Sequence, residues 1–344
     1  MPEEAPVPKH HLVQSKDQNY AIDHVLPLAY MRLMSAEATA TTAPKAATSR
    51  PFEPLDYGLY VLTVLAWSAS WFAIKLQVGV VSPEVNLVWR FSIATILMFA
   101  WVLVSRRRLA FPLSDHLRFV ALGVLIFSSN FLLFYYGALY LVSGLLSVVF
   151  SLASVFNMLL AALITREPPS LRVLLGGLAG FAGIALMFYP EMARHGLNGA
   201  TLVGLLLCVG GTLSFCLGNL VSAYNQRRGL PIVSVNAWGM LYGTIWSGFL
   251  AFILGKPFII EPTVSYFGSL IFLAVVSTVI AFAAYLTLLG RIGAARAGYS
   301  TVMFPVIALL ISTALEGYSW TPYAVAGLAL VALGNVLVIG IGKR

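Results

Sequence analysis

Residues 171–188, LRVLLGGLAGFAGIALMF, and residues 322–339, PYAVAGLALVALGNVLVI, follow one pattern at a shift of 151, so that Gly176 falls on Gly327 and Gly183 on Gly334. The same shift brings FSLASVFNMLL onto VMFPVIALLIS, with one residue of slippage in the flanks, and sets Ser154 on Pro305. Self-similarity at a fixed offset means that one structural unit occurs twice, and it governs the reading of everything between.

The surrounding chain is oily. Of 344 residues, 59% are hydrophobic and 10% charged, and the mean hydropathy is +0.88, far above the composition of a soluble domain. A hydrocarbon core about 30 Å thick requires roughly 20 apolar residues in a helix. Cutting the chain at charges, Pro and Gly yields ten such pieces: about Tyr57 to Leu76, Pro83 to Val104, Leu117 to Gly137, Leu145 to Ile164, Val173 to Tyr189, Ala200 to Ala223, Ile232 to Leu254, Phe267 to Leu289, Ala297 to Leu315 and Tyr323 to Ile341. Continuous apolar runs favour helices over the short alternating strands of a membrane barrel. The expected fold is an all-α integral membrane bundle.

A formal charge of +8 would suggest nucleic acid in a soluble protein. Here the cations fall in loops. One set of loops holds Arg106, Arg107, Arg108, Arg118, Arg166, Arg172, Arg227, Arg228, Arg291, Arg296, Lys343 and Arg344; the opposite set holds Arg194 and Lys256. The positive-inside rule then places both termini in the cytoplasm and removes the case for a nucleic-acid partner. Five spans per half is an odd number, so the second half enters the membrane from the other side. Inverted repeats are the build of secondary transporters, with a substrate site near the midplane between the halves.

Residues 1–53 are rich in Ala, Thr, Pro and scattered charge and read as a disordered extension. Met31 and Met34 are alternative starts to Met1. Residues 54–190 and 199–341 are the two repeats. Cys208 and Cys216 lack metal-site spacing and read as buried packing. Gly176 and Gly180 read as close helix packing within the subunit, with a homodimer face as the alternative.

The chain resembles the drug/metabolite transporter superfamily of the EamA-domain type, which carries two such domains in tandem. The resemblance rests on WSASWFAIK closing span one, the Pro83 to Arg90 opening of span two, NFLLFYYGALYLVSGLLSVVFSL across spans three and four, the Arg166-Glu167-Pro168 turn, and FPVIALLISTALEGYSW in span nine. It covers about Asp56 to Ile341. It implies ten helices as two inverted five-helix repeats around a central cavity, and export or uptake of amino acids or other small metabolites. Where the family commonly has proline in span four, this chain has Ser154. Pro305 cannot donate to the Thr301 carbonyl and is the candidate hinge of span nine, while Ser154 is expected to let span four run straighter.

Polar residues within oily helices point to a cavity or to interhelical bonds. Ser68, Ser70, Ser128, Ser129, Ser214 and Asn236 are of this kind. The candidate substrate-binding residues are Trp71, Asn86, Trp89, Arg90, Asn130, Asn157, Asn219, Trp238, Tyr242 and Tyr285. For Trp89 and Trp238 an interfacial belt competes. Ser82-Pro83-Glu84 reads as a helix start with a capping Ser, Pro at the first position and an acid in the first turn. Lys75 and Arg90 lie in the half of the membrane poor in cations and need their own cause. Snorkelling to headgroups accounts for Lys75. Arg90, roughly 10 Å below the helix end, pairs Glu84 or backbone carbonyls, or meets a substrate carboxylate.

No Asp or Glu sits in the middle of a span, which disfavours the cationic-drug exchange of the superfamily's small branch; proton coupling through Glu84 or Glu316, at span ends, stays open, with Glu316 as a cap on the outer end of span nine in solvent as the alternative. The five histidines lie in the tail or loops, and no HExxH, GxSxG or Walker-type loop occurs. An enzyme or receptor is disfavoured, and no cofactor or metal is implied. The expected function is a secondary carrier in the cell inner membrane that moves an amino acid or related zwitterionic or neutral metabolite by alternating access, with export favoured. A broad-specificity efflux carrier is the alternative.

Overall fold

The computed structural model describes residues 53–166, 168–169, 171–195, 199–292 and 300–339. The N-terminal extension through residue 52 with Met31 and Met34, Glu167 of the turn, Arg296, Ala297, Lys343 and Arg344 lie outside the described residues. Residues 53–160 and the described residues from Pro169 onward form one compact unit, which holds every contact and site described below; residues 161–168, with the last turn of α4, belong to a second.

Among the described residues all regular structure is helical. In chain order the helices are α1 (Pro54–Lys75), α2 (Pro83–Val104), α3 (Leu113–Leu122, Gly123–Asn130 and Phe131–Gly137), α4 (Ser143–Phe150 and Ala153–Thr165), α5 (Leu171–His195), α6 (Ala200–Arg227), α7 (Ile232–Ile253), α8 (Val264–Ile271, Phe272–Ile280 and Ala281–Ile292), α9 (Ser300–Glu316) and α10 (Pro322–Ile339). Seven of these, α1 to α6 and α8, are long and apolar enough to cross a membrane. In α9 and α10 the apolar stretches are shorter, and α7 interrupts its own with Ser234, Asn236, Thr244 and Ser247.

Packing between the halves follows a regular scheme. Helix α2 packs on α7, α4 on α9, and α5 on α10; α1 packs on α8 and α9, while α6 packs on α3 and α4. The middle segment of α8 also meets α2, and that of α3 meets α7. Exchanging α1–α5 for α6–α10 leaves these pairings unchanged. Helices α5 and α10 run antiparallel: a Cβ on Gly176 would stand 2.7 Å from the Gly334 carbonyl oxygen, and one on Gly183 would stand 2.5 Å from that of Gly327. The glycines matched by the repeat therefore meet crosswise, and the stripe holding Gly176 is spent inside the chain. Close backbone approach through small residues is how helices gain packing energy where lipid supplies no hydrophobic drive between them.

Both α3 and α8 widen to π-helix in the middle, over Gly123–Asn130 and Phe272–Ile280. Such insertions are frequent at functional sites. Helix α4 departs from the sequence expectation: instead of running straight through Ser154 it is interrupted at Ser151 and Leu152, where the Ser151 N–H is shared between the Ser147 and Val148 carbonyls and the Leu152 N–H bonds three residues back, to Val149. Ser151 and Ser154 hydroxyls donate to the Val148 and Ser151 carbonyls, so serine competes for the same acceptors that a continuous helix would use. At the start of α2, Pro83 and Glu84 stand as expected, but the Ser82 hydroxyl makes no cap bond.

Gly183→Ala places a methyl group against backbone that cannot give way, and is expected to lower stability by about 1–3 kcal/mol. Gly268→Ala, with nothing within 4 Å, is the control. Thermal unfolding in detergent checks both, and equal midpoints would refute the close-approach account.

Candidate functional site

Arg90 stands two turns into α2 and is 3% exposed. Its Nη2 donates to the Thr278 hydroxyl at 3.2 Å, while Nε and Nη1 have no partner. The Phe131 and Phe91 rings lie 4.4 and 5.2 Å from Cζ, and the Tyr135 hydroxyl is beside the guanidinium. Thr278 belongs to the π segment of α8 and donates to the Leu273 carbonyl, five residues back. The widened turn thus carries the hydroxyl that faces Arg90. An aromatic wall continues from there: Trp71 meets Phe134 at 4.9 Å and Phe150 at 5.3 Å, and Phe150 meets Phe215 at 4.9 Å.

Of the alternatives open to Arg90, the pair with Glu84 does not form. Glu84 is buried and accepts from the Tyr136 hydroxyl at 2.6 Å. Lys75 also departs from expectation: its ammonium donates to the Ala138 and Leu141 carbonyls at the turn between α3 and α4 rather than reaching for lipid. That turn has orphan carbonyls at the close of α3, which a cation satisfies well. Nearby, Tyr135 donates to Gln77, and Asn86 donates to the Gln77 and Val81 carbonyls while accepting from Tyr266 at 2.7 Å. Asn86 therefore clasps the turn between α1 and α2, with its polar atoms spent.

Glu316 is not a solvent cap on its own helix. Its carboxylate accepts from the Ser143 N–H at 3.0 and 3.2 Å and from the Ser143 and Ser312 hydroxyls, and Ser312 in turn accepts from the Gly144 N–H at 2.7 Å. The end of α9 thereby caps the start of α4, placing an anion where the helix leaves its first N–H groups unpaired.

The other candidates are spread out. Asn130 donates to the Ile126 carbonyl and leaves its Oδ1 buried and unpartnered. Asn219 donates to Asn157 at 3.5 Å, joining α6 to α4. Tyr285 packs on Trp67 at 5.2 Å, and Trp67 donates to the Ser277 carbonyl. Trp89 donates to the Ile259 carbonyl. Trp238 donates to the Leu109 carbonyl and stacks on Tyr242, which bonds His116 at 2.8 Å. Trp238 also meets the Phe99 ring at 5.2 Å, nine residues along α2 from Arg90, which sets it about 14 Å away along the helix at 1.5 Å per residue. Pro305 is buried within α9, which continues through it.

Thr278, Phe131 and Tyr135 were not picked out from sequence. One signal existed for the first: IFSSN in α3 matches VVSTV in α8, so that Ser128-Ser129 falls on Ser277-Thr278. Both pairs are in π segments, and Ser128 bonds Ser247 of α7 as Thr278 bonds Arg90 of α2. Among the described residues no group of three His, Cys, Asp or Glu is placed to hold a metal ion.

The EamA-like transporter family model matches residues 56–189 and again residues 202–340. The chain belongs to the EamA-like transporter family. It is a multi-pass membrane transporter, and it spans most of the length of the relatives it matches. A chain from Archaeoglobus fulgidus described as an uncharacterized transporter is 29% identical, over 81% of this chain and 96% of its own. The Escherichia coli protein YedA, described as an uncharacterized inner membrane transporter, is 26% identical over 84% of this chain and 92% of its own. A solved crystal structure with 17% identity superposes with a TM-score of 0.60, over 82% of this chain and 95% of that one, so this EamA-like chain shares its fold.

Glu316→Ala leaves the α4 N–H groups and two hydroxyls without their acceptor, and is expected to cost about 2–3 kcal/mol. Glu316→Gln retains an oxygen and should cost less. Thermal unfolding of the three proteins reads the order; an unchanged midpoint for Glu316→Ala would contradict it.

Proposed function

We propose that this EamA-like transporter is a secondary carrier exporting a small metabolite, an amino acid or related zwitterionic or neutral compound, by alternating access across the cell inner membrane. Ten transmembrane helices form two inverted five-helix repeats, residues 54–190 and 199–341, around a central site, with both termini in the cytoplasm. The observation that carries this reading is the mirrored packing: the repeat-equivalent helices α5 and α10 lie antiparallel through crosswise glycines, which fits halves of opposite orientation. Rocking one such half against the other exposes a shared site to each side in turn. Arg90, Trp71, Asn130, Asn157, Asn219 and Tyr285 line that site. Asn86, Trp89, Trp238 and Tyr242, whose polar atoms are bonded within the fold, hold its walls. Pro305, which leaves the Thr301 carbonyl without its helical donor, is the hinge. The partners are the solute and lipid.

Two measurements test this. Counterflow in proteoliposomes loaded with an amino-acid mixture is expected to give exchange flux, and its absence from folded protein would defeat the carrier. In a background with Cys208 and Cys216 replaced by Ala, Val80→Cys, in an exposed turn, should react with an impermeant maleimide in intact cells, while Arg107→Cys reacts only after permeabilisation. The reverse pattern would overturn the orientation.

A further inference from the structure

A guanidinium holds five N–H donors and keeps its proton at any physiological pH. Arg90 is almost fully buried, and the structure satisfies one of its nitrogens. The flanking Phe91 and Phe131 faces stabilise the charge without accepting a strong hydrogen bond. No carboxylate among the described residues pairs with it, since Glu84, six residues earlier on α2, is turned to Tyr136. Burying a cation in this way costs several kcal/mol unless a counter-charge is present. Helices α2, α3 and α8 supply its neighbours, so a lipid headgroup does not reach it. The missing anion must be one that enters and leaves the protein.

We infer that Arg90 binds the carboxylate of the transported solute, whose apolar or aromatic body packs among Phe91, Phe131, Trp71 and Phe134. The inference rests on the carrier reading above and narrows it from zwitterionic or neutral compounds to those with a carboxylate. A planar carboxylate matches a planar guanidinium. A single charge is also the right count. Lys75 spends its ammonium on carbonyls, and the electrostatic neighbour of Arg90 is a tyrosine rather than a second cation, so a dianionic phosphate would be left half-neutralised. The free Nε and Nη1 are the groups that receive the ligand. Thr278, held by its own bond to the π segment of α8, fixes the guanidinium by its third nitrogen.

The test uses the full-length protein in phosphatidylcholine vesicles, with sulfate in place of chloride. Four probes share a phenylethyl skeleton, two with a carboxylate and two without: L-phenylalanine and 3-phenylpropanoate against L-phenylalaninamide and phenethylamine, each competing for counterflow of the amino-acid mixture. The two acids are expected to compete at least about tenfold better than the amide and the amine. Arg90→Gln should abolish that preference and raise KM for the acids at least about tenfold, and Arg90→Lys should fall between, keeping charge without the planar fork. Gly268→Ala, where an added methyl group meets nothing within 4 Å, should keep both the preference and KM and is the control for substitution in α8. Equal competition by all four probes, or a preference that survives Arg90→Gln, overturns the inference while flux continues and the carrier stands. So does loss of the Arg90 dependence on restoring chloride, which would assign the site to an inorganic anion. No flux of the mixture at all defeats the carrier and the inference with it.

Discussion

Where α5 crosses α10 there is no room for side chains. Gly176 faces Gly334, Gly183 faces Gly327, and carbonyl oxygens occupy the space that a Cβ would take. The rest of the structure depends on this contact, because it ties the last helix of one repeat to the last helix of the other and holds them antiparallel. In water such helices would be driven together by burying apolar surface. In lipid that drive is absent between helices, and close van der Waals approach of backbones replaces it. Glycine at four positions, spaced by seven in each copy, is what allows it.

With the outer pair so joined, polar groups can be placed inside without collapsing the fold. Most are bonded locally: Asn86 clasps a turn, Lys75 caps one, and Glu316 reaches from α9 to the start of α4. Each of these ties one helix end to another and is accounted for by the need to satisfy backbone groups where water is scarce. Arg90 is different in kind. Its neighbours are rings and hydroxyls, two of its nitrogens are unspent, and no structural duty at a helix end explains it. A charge without a partner in the middle of a packed region is the feature that structure alone would remove and that function retains.

The sequence was a good guide to periodic features and a poor one to pairings. The helices, the repeat offset and the glycine stripe were legible because each is written as spacing along one chain, and spacing survives without knowledge of neighbours. Arg90 and Trp71 were legible as anomalies, a cation and a large ring where oily residues were due. Their surroundings were not. Glu84 was the acid nearest in sequence and so one of the expected partners, yet six residues along a helix turn it well away from Arg90, toward Tyr136. Lys75 has the look of a snorkelling residue until the turn of another helix is seen to offer carbonyls. Ser154, read as a smoother substitute for proline, sits beside a break because serine hydroxyls compete for helix carbonyls.

By itself the sequence determined that this chain is a helical membrane protein made of a doubled unit, since hydrophobic length and fixed-offset similarity are properties of the chain alone. Only the tertiary structure decided which polar residues are spent and which are left over. Hydrogen bonds between helices join residues far apart in the chain, such as Arg90 with Thr278 and Ser143 with Glu316, and whether a buried donor finds an acceptor depends on the register of helices against each other, which no local pattern encodes.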